Sequence, residues 1–161
     1  TVSEEVYGQL KRQLEGAVYF TGGGVLVSIP GVTLVIAGVV WTVGYVAFGA
    51  GASFRAMYAV VVYAGAINIV QQLFVVPLNY ARGAMGNPTT VAAFFPMLEE
   101  GSFADRTLGL IDLFVIWQLF VLSIGTAVLY GRRTGPIATG FYLLYAVIAI
   151  GGGFALSRMG G

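Results

Sequence analysis

The chain has 161 residues, 58% of them hydrophobic and 9% charged, with a mean hydropathy of +0.87. Soluble domains carry about 25% charged residues, so this chain cannot cover its surface in water and reads as an integral membrane protein wrapped in lipid. A net charge of +1 without a basic tract argues against a nucleic-acid partner, and the absence of Cys and His removes disulfides, thiol chemistry and the usual ligands of haem, chlorophyll magnesium or zinc, so neither cofactor nor metal is expected.

Residues 1–16, TVSEEVYGQLKRQLEG, place Val2, Val6, Leu10 and Leu14 at intervals of four, with Glu4, Glu5, Lys11, Arg12 and Glu15 between them. The pattern predicts a short amphipathic helix capped by Ser3, lying on the membrane surface or against a partner. TGGG at 21–24 is expected to turn the chain into the first span, so that 1–24 forms a surface unit and 25–161 the membrane domain. No signal-peptide pattern opens the chain, whose residue 1 is Thr.

Four apolar segments follow, at about 25–48, 54–80, 109–130 and 137–157, each near the ~20 residues that cross a bilayer. The predicted fold is all-α, a polytopic transmembrane helix bundle with four visible spans plus the N-terminal amphipathic helix. Pro30 and Pro77 are expected to bend the first and second spans. The long loop at 81–107 has an apolar middle, VAAFFPML, too short to span. It reads as a re-entrant or surface segment with Phe94 and Phe95 at headgroup depth. Basic residues number five on the side of this loop and three at the short turns, where Arg55, Arg132 and Arg133 stand without acids. Charge alone leaves the orientation open.

In the second span Asn68, Gln71 and Gln72 share a helix face through their i, i+3 and i, i+4 spacings. Amides in hydrocarbon are costly unless bonded, so they are expected to hold helices together, with Gln118 and Ser123 of the third span as candidate partners. The alternative is a polar path lined by the amides in a small transporter or channel component. Asp112, four residues inside the third predicted span, is expected to sit on a helix N-terminus, with no His, Lys or second acid beside it for acid–base work. Glu99, Glu100 and Asp105 lack EF-hand spacing and read as a solvated acidic edge. No catalytic residue is identified.

Glycine is abundant, with 24 residues, and several fall inside spans: Gly38, Gly44, Gly125 and Gly151–Gly153. Ala47 with Gly51, Ser123 with Ala127, and Ala149 with Gly153 form small-x-x-x-small pairs, the spacing that lets helix backbones approach closely.

Several stretches occur in the order found in the Yip family, the Ypt/Rab-interacting-protein domain, and specifically in its bacterial branch. GASFRAMYAVVVYAG (51–65) resembles the family's G-x-S-F-plus-basic helix start, and NPTT (87–90) falls where the family often has Asn-Pro. IDLFVIWQLFVLSIGTAV (111–128) is similar to its D-L-F-x-x-W-x-L span, and GRRTGPIATG (131–140) to its basic turn before the last helix. The resemblance covers roughly 25–150. It implies five spans, the first upstream of Thr1, with the turns at Arg55 and Arg132–Arg133 facing the cytoplasm. Gly38, Gly44 and Ala47 are then expected to face a partner helix. The expected function is that of a non-catalytic scaffold or accessory subunit, in membrane organisation or transporter assembly, in a bacterial inner membrane. Its expected partners are the lipid bilayer and other membrane protein subunits, with a small GTPase entering only by analogy with eukaryotic relatives.

Overall fold

The computed structural model describes the backbone of residues 4–83 and 86–159, and the side chains of residues 24, 27–83 and 86–158. In chain order the elements are α1 (Glu4–Phe48), α2 (Phe54–Arg82), a 3-10 turn (Val91–Phe94), α3 (Phe103–Gly109), α4 (Leu113–Tyr130) and α5 (Thr134–Met159). The only strand-like pairing among the described residues is an isolated antiparallel bridge between Thr90 and Asp112. Val27–Phe48, Phe54–Arg82, Leu113–Tyr130 and Thr134–Arg158 are each long and apolar enough to cross a membrane, so the chain is an all-α bundle with four such helices.

The helix ends follow from local chemistry. Ser53 starts α2, its hydroxyl accepting from the Ala56 N–H at 3.3 Å. Gly83 ends α2 at φ 59° and Gly131 ends α4 at φ 60°, left-handed conformations that other residues enter only at a cost. Because the long helices alternate in direction, the turns at 49–53 and 131–133 lie at one end of the bundle, with Arg55, Arg132 and Arg133 and no acid. The other end holds the 83–112 connection with Glu99, Glu100, Asp105 and Asp112.

α2 packs on both α1 and α4, α4 on α5, and α3 across α5. The core is small: Ala37 and Val40 of α1, Met57, Val61 and Ala64 of α2, and Leu122 of α4. The outside is apolar; Val46, Leu73 and Val128 are 79%, 70% and 74% exposed. Left in water, such a surface would forfeit roughly 1.5–3 kcal/mol for each side chain of this kind, whereas lipid solvates it.

Glycines set several of the helix contacts. A Cβ on Gly125 would overlap the Val60 side chain, so Val60 of α2 packs directly on the backbone of α4 there. At Gly153 of α5 it would lie 2.9 Å from the Thr107 Cα of α3. On Gly44 it would come within 2.6 Å of the Tyr130 hydroxyl, and on Gly51 within 3.1 Å of the Tyr130 ring. The face of α1 at Gly44, expected to await a partner helix, is thus filled from within by Tyr130, whose hydroxyl donates to the Trp41 carbonyl at 3.3 Å. Gly38 meets nothing within 4 Å. Ala127 and Ala149 are buried at 2% and 1% exposure.

Three boundaries differ from the sequence reading. α1 is one continuous helix of 45 residues, with no turn at 21–24. Each glycine there costs about 1 kcal/mol relative to Ala, but helix on both sides supplies the hydrogen bonds that carry the chain through. At 1.5 Å per residue α1 is about 68 Å long, more than twice the ~30 Å hydrocarbon core. The amphipathic face expected at Val2, Val6, Leu10 and Leu14 lies outside the described residues. Pro30 and Pro77 both stay inside their helices. The fourth predicted span lengthens to Thr134–Met159, and the third begins at Leu113, because residues 109–111 belong to the end of α3 and the turn after it. α3 was not foreseen. It starts at Ser102, whose hydroxyl accepts from the Asp105 N–H at 3.1 Å, while Asp105 accepts from the Gly101 N–H at 2.9 Å.

Candidate functional site

The polar centre of the molecule is built on Asp112, at the N-cap of α4. Its backbone is extended, at φ −106° and ψ 132°, which lets the side chain fold back over the free N–H groups of the first turn. Oδ1 accepts from the Phe114 N–H at 2.7 Å. Oδ2 takes three side-chain donors, each at 2.7 Å: Gln71 Nε2 of α2, Asn87 Nδ2 and Thr89 Oγ1. The residue is 5% exposed.

The segment supplying Asn87 and Thr89 is held by the same helix start. Asn87 Oδ1 accepts from the Thr89 N–H at 3.2 Å, a local turn of the kind Asn favours. The Thr89 hydroxyl lies 2.6 Å from Asn87 Oδ1 and 2.7 Å from Asp112 Oδ2, and with one proton it donates to one at a time. Gln71 Nε2 also donates to Thr89 Oγ1, at 3.1 Å. Val91 N–H donates to the Ile111 carbonyl at 2.8 Å and Leu113 N–H to the Thr89 carbonyl at 3.1 Å, forming the isolated bridge. From α5, Tyr145 Oη accepts from the Asp112 N–H at 3.0 Å and donates to the Leu110 carbonyl at 2.8 Å. α2, the 87–90 segment, the start of α4 and α5 therefore meet at one carboxylate.

These donors are all neutral, so the charge is met by amide and hydroxyl dipoles and by the N-terminus of α4. A carboxylate already accepting three or four hydrogen bonds is a joint between elements, not a free base. Among the described residues no three of His, Cys, Asp and Glu gather as a metal site would require. Glu99 and Glu100 are exposed, and Asp105 is used in starting α3.

Of the amides singled out in the sequence, Gln71 alone enters this joint, and its partners are Asp112 and Thr89, not Gln118 or Ser123. Ser123, fully buried, donates to the Leu119 carbonyl of its own helix at 2.6 Å. Asn68 and Gln72 lie exposed on α2 and Gln118 is half-buried; none of the three side chains has a hydrogen bond among the described residues. Sequence reasoning missed Asn87, Thr89 and Tyr145 as partners of Asp112. A signal was present: a carboxylate at the edge of a span needs donors, and Asn-Pro-Thr-Thr is the densest run of them in the connecting loop.

Compared with known proteins, residues 3–157 match the family described as the Yip1 domain. No curated protein and no solved structure matches the chain.

Proposed function

Because the chain belongs to the Yip1 domain family and carries four helices able to cross a membrane, it is an integral membrane protein, and we propose that it serves as a non-catalytic scaffold or accessory subunit of a larger membrane assembly. The observation that carries this reading is the exposed pair Asn68 and Gln72. Asn68 stands at the midpoint of α2, one helical turn from Gln72, and both amides are exposed, with no hydrogen-bond partner among the described residues. An amide left unpaired in hydrocarbon costs several kcal/mol, so a helix of another membrane protein is the natural partner for this face. Interhelical amide bonds of this kind contribute about 0.6–2 kcal/mol each.

The transport reading needs the amides to line one path. Gln71 is tied to Asp112 while Asn68 and Gln72 face outward, which favours docking over conduction. Catalysis has little to build on, since Asp112 is saturated by donors and has no second acid, His or Lys bonded to it. On this reading the end that holds Arg55, Arg132 and Arg133 faces the cytoplasm, as the resemblance to the family implies, and the membrane is the bacterial inner membrane.

The test replaces both amides, Asn68→Leu with Gln72→Leu. The variant is expected to insert, keep its helix content and melting temperature, and lose the subunits that accompany the wild type through gentle detergent extraction. A wild-type chain that runs as a lone monomer in several mild detergents and in nanodiscs overturns the proposal.

A further inference from the structure

Between α1 and α5, floored by Thr126 of α4, the bundle surface opens into a groove of about 270 Å³. Val43 and Ala47 form one wall, Ile137 and Leu144 the other. The lining is apolar except at Thr126, whose hydroxyl points inward to Met57 Sδ at 4.0 Å. Along α1 the groove runs from Val39 to Phe48, about 14 Å at 1.5 Å per residue, which is close to one leaflet of a ~30 Å hydrocarbon core.

The groove ends at the basic turn. Phe48 lines it, and the Arg132 guanidinium lies 5.6 Å from the centroid of the Phe48 ring. Arg133 follows, both arginines are exposed, and no Asp or Glu occurs between Ile36 and Met97 or after Asp112. The cations at this mouth therefore have no carboxylate of their own end to pair with. The anions available at that depth in a bilayer are lipid phosphates, whose geometry suits a guanidinium fork.

We propose that this groove is a binding site for one anionic phospholipid, an acyl chain lying between α1 and α5 and the phosphate held by Arg132 and Arg133.

Native mass spectrometry of the protein reconstituted in nanodiscs of phosphatidylcholine and phosphatidylglycerol tests the site. The wild type is expected to retain one phosphatidylglycerol in about tenfold preference to phosphatidylcholine. Arg132→Gln with Arg133→Gln should abolish the preference. Gly140→Leu supplies the groove with a side chain of the protein's own; a Cβ there meets nothing within 4 Å, so folding should survive while the retained lipid is lost. Equal retention of the two lipids by the wild type overturns the proposal. So does lipid retention unchanged in both variants, or a dimer that Gly140→Leu dissolves, which would make the groove an interface between copies.

Discussion

Asp112 is held by donors from two other segments besides its own helix, so losing its carboxylate removes the acceptor that Gln71, Asn87 and Thr89 share. Hydrogen bonds to a charged acceptor contribute about 1.5–3 kcal/mol each. Asp112→Ala is therefore expected to lower unfolding stability in detergent by about 3 kcal/mol or more. Asp112→Asn should fall between, at about 1–2 kcal/mol, because Asn caps a helix as well as Asp but has one carbonyl oxygen to divide between Phe114 and the three side chains. Equal melting of wild type and Asp112→Ala would show that the joint carries no stability. The capping role was legible in the sequence, since it depends on a local position. The donors were not, because Gln71 and Asn87 lie 41 and 25 residues away in the chain and pair with Asp112 only after α2 and the loop fold back.

For the helices themselves, apolar length located all four spans, because lipid demands about 20 residues without charge. Their ends were less legible. Gly109, Leu110 and Ile111 are as apolar as the span they precede, and the helix start is set by Asp112 instead of by hydropathy. α3 could have been read from Ser102 and Asp105, a cap residue followed three positions later by an acid. Spacing of small residues located close approaches but not their direction: Gly44 and Gly153 serve contacts within the chain, to Tyr130 and Thr107. That difference changes what substitution does. Gly125→Leu, driven into Val60 of α2, should separate α2 from α4 and destabilise by about 3 kcal/mol or more. Gly38→Leu, on α1 with open space around it, should leave melting within about 0.5 kcal/mol of wild type. Thermal melting of the two variants in one detergent separates them; equal losses would contradict the packing of α4 on α2.

On the scale of the whole molecule, the bundle has a small core, an apolar exterior, one end with arginines only and one end gathered on Asp112. Membrane residence was plain from composition. Which polar groups are used internally and which are offered outward was not, because both kinds sit on α2 within two residues of each other, at Gln71 and Gln72. The account turns on the outward pair. A photocrosslinking amino acid placed at Gln72, and separately at Tyr63 as a control exposed by 78% on the opposite side of α2, reads the surroundings of that face in the intact membrane. Nine residues along a helix at 100° each place the two positions about 180° apart. The account predicts a protein adduct of one defined mass from position 72 and lipid adducts alone from position 63; lipid adducts alone from position 72 would contradict it.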